Sequence, residues 1–273
     1  MNYRHIYHAG NFADVMKHLA LALVLEYLQR KDAPLCVIDA HGGIGLYDLN
    51  SEQAQKTREW EEGIGQFRDS AMPDDFKIYY DLVKHDLAGG QYAGSPKLIN
   101  RMLRVQDRLI ANELHPEDFE TLKENLRREK NAVVTNIDAY ECVRAHIPPK
   151  EKRGLVLIDP PFEKTDEFQT LIKQMAEWKK RFATGVYLLW YPIKSHLAIG
   201  GLKEAATALG IPSTWCVETL MYPRHVENTF NGSGLILFNA PYQVPARYEA
   251  LLPFLKERLG LVDTASQWLV SDR

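Results

Sequence analysis

The sequence predicts an α/β fold: a mostly parallel sheet of seven strands, helices on both faces, and a small helical subdomain inserted after the first strand. Three observations predict it. Short apolar runs that fit buried strands alternate with longer stretches of helical period along most of the chain. Several of these runs end in an acidic or glycine-rich turn, where strands of such sheets present ligands. The rhythm breaks once, between residues 46 and 94, in a polar and largely helical stretch.

Residues 11 to 30 read as a helix: Val15, Leu19, Leu23 and Tyr27 recur every four residues, and Met16, Ala20 and Leu28 widen the stripe. Asn11 or Asp14 can cap it. Leu35-Cys36-Val37-Ile38 forms the first strand and runs into Asp39-Ala40-His41-Gly42-Gly43-Ile44-Gly45, where glycines let the backbone approach a ligand closely. The dinucleotide pattern Gly-x-Gly-x-x-Gly is absent there. Helical runs around 51 to 68 and 74 to 87 fill the insertion, so residues 1–45 and 95–273 form one domain and 46–94 a subdomain within it. Ser95-Pro96 opens the next helix, serine at the cap and proline in the first turn. Strand 108 to 113, helix 116 to 129, strand 132 to 135 and helix 139 to 146 follow. Leu155-Val156-Leu157-Ile158 fits a strand buried on both faces, which Pro160-Pro161 stops abruptly. Helix 166 to 180, strand 186 to 191 and helix 195 to 209 come next, then strands 214 to 220 and 235 to 238 joined by a hairpin-like segment. Residues 247 to 273 read as a closing helix and tail.

At 273 residues, 45% hydrophobic and 25% charged, the composition is that of a soluble globular chain with one main core. No apolar run approaches the about 18 residues that span a membrane, and the opening residues lack the layout of a secretory signal, so a cytoplasmic location is expected. Cys36, Cys142 and Cys216 are odd in number and far apart, which suits buried reduced thiols better than a disulfide or metal framework. A net charge of -3 gives no global attraction to nucleic acid, but phosphate contacts depend on where Lys and Arg sit rather than on their sum.

In a parallel sheet, ligands bind at the carboxyl ends of the strands. That rule gathers Asp39, Glu113, Asp138 and Asp159 onto one edge, each after a different strand. Carboxylates there can accept ribose hydroxyls or an adenine amine of a nucleoside cofactor. Asp159-Pro160-Pro161-Phe162 adds a carbonyl and an aromatic ring to a carboxylate, a set that accepts hydrogen bonds from a flat amine while stacking on its ring. Purely structural roles stand beside these: Asp138 as a helix cap, Glu113 as a solvated acid, His41 as a local hydrogen-bonding group, Phe162 as a core residue. His5, His8, His18 and His41 show no recognised metal-ligand spacing, so no metal is expected. The same edge rule sorts the cations. Lys150, Lys152 and Arg153, and likewise Lys179, Lys180 and Arg181, precede strands and belong at the opposite edge. Arg4, Lys17, Lys164, Arg224 and His225 fall nearer the site and are the candidates for phosphate.

Asp159-Pro160-Pro161-Phe162 resembles the Asp/Asn-Pro-Pro-Tyr/Phe motif of S-adenosylmethionine-dependent amino-methyltransferases. Tyr3-Arg4-His5, His8-Ala9-Gly10-Asn11, Ala13-Asp14-Val15 and Lys17-His18 are narrower in their resemblance. Together with Arg153-Gly154-Leu155, Phe182-Ala183-Thr184-Gly185 and Leu189-Trp190-Tyr191-Pro192, they resemble the large-subunit ribosomal RNA methyltransferase J family, nearly end to end. The resemblance implies a Rossmann-like class I methyltransferase that methylates the 6-amino group of one adenine in 23S rRNA, with S-adenosylmethionine as donor. It implies that His18, His41, Gly42, Ser95, Glu113, Asp138, Ala139 and Asp159 line the cofactor pocket. Asp159, Pro160 and Phe162 would hold the target amine and ring, and Tyr3, with His5 and Lys17, would sit over the adenine. The family pattern has Tyr at Phe162, whose change keeps the stacking face, and Gly at Ala139, whose change keeps the backbone contact. The partner expected is 23S rRNA, protein-free or early in assembly, acted on by a monomer away from any membrane. A DNA adenine methyltransferase shares the same motif chemistry; a nicotinamide-dependent oxidoreductase and a catalytically silent RNA-binding module are further alternatives.

Overall fold

The computed structural model describes residues 3–68, 71–163, 166–226 and 229–271. Its organising helix is α1 (Phe12–Gln29), whose start is fixed by the Asn11 side chain accepting the Asp14 N–H. Every residue from Phe12 to Leu25 is buried. A helix closed to water all round has to be sandwiched, and α1 lies between the sheet and the elements packed outside it. Each fully buried leucine of its core face contributes about 1.5–3 kcal/mol of burial free energy.

The chain continues through β1 (Cys36–Asp39) into the insertion: β2 (Leu46–Asp48), α2 (Glu52–Thr57), α3 (Glu59–Glu62), a 3-10 turn, α4 (Asp74–Ala88) and β3 (Gln91–Ala93). β2 and β3 pair antiparallel and close the insertion at its base. Its apolar side chains, Phe67, Phe76, Tyr79 and Tyr92 among them, join the same cluster as α1 and cover that helix. Then follow α5 (Ser95–Met102), β4 (Arg108–Asn112), α6 (Pro116–Leu126), β5 (Ala132–Thr135), α7 (Ala139–His146), β6 (Gly154–Ile158), α8 (Glu167–Arg181) and β7 (Val186–Ile193). The last elements are α9 (His196–Ala208), β8 (Thr214–Leu220), β9 (Gly232–Phe238), α10 (Val244–Leu259) and β10 (Asp263–Val270).

The main sheet has eight strands in the order β10-β8-β9-β7-β6-β1-β4-β5, one more than the seven expected. The additional strand is β10, expected as an unstructured tail. It pairs antiparallel with β8 at the sheet's edge, and its central residues are exposed. A sequence that faces water carries no strong apolar alternation to announce a strand. Strands β5, β4, β1, β6 and β7 run parallel, and the hairpin β8–β9 returns antiparallel beside β7. The serine of Ser95-Pro96 is the first helical residue, with Gly94 at the cap. All three cysteines are buried.

The chain leaves β1 outward to β4 and β5, then returns to place β6 on the other side of β1. This reversal is the switch point at which open α/β sheets bind ligands. Register levels the ends of the strands there, with Asp39 opposite Leu157 and Ala111, and Asn112 opposite Thr135. The turns after β1, β4, β5 and β6 therefore lie side by side.

Candidate active site

A cavity of about 590 Å³ opens at this carboxyl edge, and the turns after all four strands contribute to its lining. The first turn presents His41, Gly42 and Gly43. Gly43 has φ +58, and a Cβ there would stand 2.0 Å from the Tyr47 hydroxyl oxygen, so only glycine fits this turn. After β4, Glu113 is buried and accepts the Gly43 N–H through Oε2 at 2.9 Å and the His115 N–H through Oε1 at 2.7 Å. Burial pushes its carboxyl upward, against the pull of those two N–H groups. After β5, Asp138 caps α7, its Oδ1 accepting the N–H groups of Tyr140 at 2.9 Å and Glu141 at 3.1 Å. It also lines the cavity with Ala139, so the cap and the pocket position coexist in one residue.

After β6, Asp159 donates its backbone N–H to His41 Nδ1 at 3.2 Å. This contact joins the two turns that flank the switch point and puts the His41 ring proton on Nε2. Dense surroundings push the His41 imidazole down to about 4, against the pull of Asp159 and Asp138, so the ring is neutral. Pro160 is buried and lines the cavity beside Asp159.

The amino-terminal segment reaches the same turn through a continuous polar chain. The Tyr3 hydroxyl donates to His5 Nδ1 at 2.7 Å, and His5 Nε2 donates to Asp14 Oδ2 at 2.9 Å. Asp14 Oδ1 lies 2.9 Å from Lys17 Nζ, and Lys17 Nζ in turn bonds Asp159 Oδ2. Tyr3 is anchored again at its backbone, where its N–H donates to Glu163 at 2.8 Å, and its ring stacks on His8 with centroids 5.6 Å apart. Burial alone would raise the Asp14 carboxyl; His5 and Lys17, both held against it, outweigh burial and keep the group well below the usual range. Lys17, only 4% exposed, is kept charged by Asp14 and Asp159 despite its burial. Burial raises the Tyr3 hydroxyl, with the Asp159 charge adding to it, so Tyr3 is a neutral donor. His18 bonds the Tyr92 hydroxyl through Nδ1 at 2.6 Å, and burial pushes its imidazole down to about 3.

The cavity thus brings together most of the residues expected from the sequence: Tyr3, His5, Lys17, His18, His41, Gly42, Ser95, Glu113, Asp138, Ala139, Asp159 and Pro160 all line it. Phe162 does not. Its φ of +50 turns the residue back, and its ring packs 4.9 Å from Phe168 and 5.9 Å from Trp190 in a partly buried cluster. The stacking platform expected of it is in this structure a contact with the core, and the aromatic residues that line the cavity are Tyr3, Tyr47, Tyr140, Trp190 and Phe230. Lys17 is likewise no phosphate ligand here, because its ammonium lies between two carboxylates. Arg4 bonds Glu117 at 2.9 Å and Asp118 at 2.7 Å. Arg224 lies outside the cavity, with its charge shared between Glu218 and Asp263. Lys164 falls outside the described residues. Asp39 is fully buried behind the cavity rather than in it; Ser95 and the His41 backbone lie close without meeting hydrogen-bond geometry, and both carboxylate oxygens are unpartnered among the described residues.

Asp14, which the sequence offers as a helix cap and within the resemblance, also lines the cavity at the centre of this polar chain. Its signal was present: Asp14, Lys17 and His18, at i, i+3 and i+4 in an otherwise apolar helix, are charges that burial would forbid unless paired. Among the described residues no cluster of His, Cys, Asp and Glu is arranged to hold a metal, and no helix is long and apolar enough to cross a membrane.

Sheet order, switch-point cavity and Asp-Pro-Pro turn together place the chain among Rossmann-like class I methyltransferases. A family model described as "Ribosomal RNA large subunit methyltransferase D, RlmJ" matches residues 32–270. The protein named Ribosomal RNA large subunit methyltransferase J in Haemophilus influenzae is 38% identical, covering 99% of this chain and 98% of its own. That of Escherichia coli K12 is 36% identical over the whole of both chains, 100% of each. The crystal structure of a Legionella pneumophila protein superposes with a TM-score of 0.87 at 31% identity, covering 95% of this chain and 97% of that one. The chain belongs to the large-subunit ribosomal RNA methyltransferase J family.

Proposed function

We propose that this enzyme transfers a methyl group from S-adenosylmethionine to the 6-amino group of an adenine in 23S rRNA, acting as a monomer on RNA that is protein-free or early in assembly. The observation that carries the reading is that Asp159 and Pro160 line the same cavity as the His41–Gly43 turn and Glu113. The residues fit the donor: the turn at Gly43 has no room for a Cβ, and Glu113 and Asp138 set two carboxylates at successive strand ends for ribose hydroxyls and an adenine amine. Bound there, S-adenosylmethionine supplies an electrophilic methyl group.

The adenine amine is a weak nucleophile because its lone pair is delocalised into the ring. Asp159 Oδ2 is taken by Lys17, so Oδ1 is the acceptor for one amine proton, and the Pro160 carbonyl accepts the other. These bonds draw the lone pair out of the ring toward the methyl group, and the carboxylate balances the positive charge that grows on nitrogen. The proton that the amine gives up on methylation would be held at Asp159 Oδ1 and pass from there to water. Trp190, Phe230 and Tyr3 offer ring faces to an extruded base, each stack contributing roughly 1–3 kcal/mol, comparable with the cost of extrusion.

Labelled methyl transfer to protein-free 23S rRNA, with duplex DNA as the competing substrate and the modified nucleotide mapped, tests the substrate. Asp159→Ala is expected to abolish transfer while leaving unfolding cooperative, because the side chain sits at a strand tip and Lys17 keeps Asp14 as counter-ion. Full turnover by that variant would exclude the mechanism.

A further inference from the structure

The loop between β8 and β9 lies at the same edge, and its residues 221 to 226 have no part in the reaction described. Those residues are clasped by Asn231. Asn231, 1% exposed, donates its backbone N–H to the Ile193 carbonyl at 2.9 Å and accepts the Met221 N–H at 2.8 Å. Its side-chain Oδ1 accepts the Tyr222 N–H at 2.9 Å, and Nδ2 donates to the carbonyls of Pro223 and Val226, both at 3.1 Å. Backbone and side chain of a buried asparagine are thus all spent on fixing residues 221 to 226. What they fix faces water: Tyr222 is 52% exposed, and Arg224 and His225 are exposed beside it.

The clasp also ties this loop to the cavity mouth. Phe230, next to Asn231, lines the cavity, as do Pro192 and Lys194 on either side of Ile193. Lys194 is exposed and makes no ion pair among the described residues. Arg224 is oriented by Glu218 at 3.6 Å and Asp263 at 3.2 Å, with its side chain still 44% exposed. Those two carboxylates offset part of its charge, whereas the charge of Lys194 has no ion-pair partner among the described residues. A flat ring on a fixed backbone loses little conformational entropy on binding, and every base offers it a face.

We infer that this loop is a second nucleic-acid contact, at which Tyr222 stacks on an unpaired base flanking the target adenine while Lys194, Arg224 and His225 meet the adjoining phosphates. The inference rests on the RNA-methyltransferase reading above and names where the strand runs once its target base has entered the cavity. A protein-docking loop would want apolar area; here an exposed ring shares its loop with an exposed arginine and histidine, and an exposed lysine stands at the neighbouring strand end, the mixture that single-stranded nucleic acid recognises.

The test is steady-state methylation of 23S rRNA across salt concentrations. Tyr222→Ala and Tyr222→Leu are expected to raise KM for RNA roughly tenfold, with kcat and S-adenosylmethionine affinity unchanged; Tyr222→Phe and Tyr222→Trp restore wild-type KM. Arg224→Ala lowers the slope of log affinity against log salt by about 0.7, one phosphate on a single strand. Lys180→Ala, whose charge pairs with Glu177 on α8, leaves that slope alone. An unchanged KM in Tyr222→Ala, or Tyr222→Leu behaving as Tyr222→Phe, overturns the inference, whether or not the loop captures a protein. If the wild-type enzyme methylates 23S rRNA, that failure belongs to the loop alone; a wild-type enzyme inactive on RNA overturns both.

Discussion

Asp14→Asn separates charge from shape at the centre of the polar chain. Asparagine keeps the volume and one acceptor for the Gly10 N–H that Asp14 now takes at 2.9 Å, but it removes the charge that faces Lys17 and His5. Lys17 is 4% exposed, so its ammonium is left with Asp159 as its one counter-ion. A hydrogen bond to a charged group contributes about 1.5–3 kcal/mol, and stranding a buried charge completely costs about 3–5 kcal/mol. Because Asp159 remains, the lower figure applies. A loss of about 2 kcal/mol corresponds to a fall of roughly 4–8 °C in Tm for a chain of this size. Lys17 also turns its undivided charge on Asp159, which weakens that carboxylate as an acceptor; a penalty of about 1.4 kcal/mol in the transition state lowers kcat about tenfold. Thermal unfolding followed by circular dichroism, with single-turnover methyl transfer at saturating RNA and cofactor, reads both effects. A Tm within about 1 °C of wild type and an unchanged kcat would refute the reasoning, and a lower Tm with full kcat would reduce Asp14 to a helix-start residue.

Burial pushes the Asp39 carboxyl up to about 7. The folded protein therefore holds that proton more tightly than the unfolded chain, whose carboxyl titrates near 3.8; the stability this group contributes is complete below 3.8 and is lost as pH rises to about 7. Asp39→Asn should gain on wild type by about 1.4 kcal/mol per pH unit across that window and then hold its gain. His18, pushed down to about 3, works with the opposite sign, its contribution present above 6.5 and lost as pH falls, but it is common to both proteins and cancels. Denaturant unfolding at pH 5, 6 and 7 checks the difference, and one that does not move with pH contradicts a buried neutral carboxyl. Phe162→Ala should cost about 2 kcal/mol through lost contact with Phe168 and Trp190, with RNA affinity within about twofold; a tenfold loss of RNA affinity without a change in Tm would return Phe162 to the role of stacking platform.

Strands buried on both faces were legible because such burial writes itself as continuous apolar runs: 155 to 158 falls within β6 and 214 to 220 has the bounds of β8, every residue of both being buried. Edge strand β10 was not, since half-polar residues facing water satisfy no period. The edge rule found the acids Glu113, Asp138 and Asp159 in the cavity lining, for strand polarity alone fixes which end a turn occupies. It misplaced Asp39, because it gives the end of a strand and not the face of a side chain: Asp39 is itself the last residue of β1 and points into the interior. Phe162 failed for a related reason; its left-handed backbone follows from what packs around the turn, not from the four residues Asp-Pro-Pro-Phe. The pairing of Lys17 with Asp159 spans 142 positions, beyond any local pattern.

The helix whose first turns carry Asp14, Lys17 and His18 is also the one closed to water from Phe12 to Leu25. Amides in such a segment exchange with solvent only when the whole domain opens. The floor of the cavity consequently has no softness of its own. Heat should then switch off catalysis and unfold the chain at one rate, with no inactive yet folded form in between, and the half-life of activity at high temperature becomes a direct clock for the opening of the core.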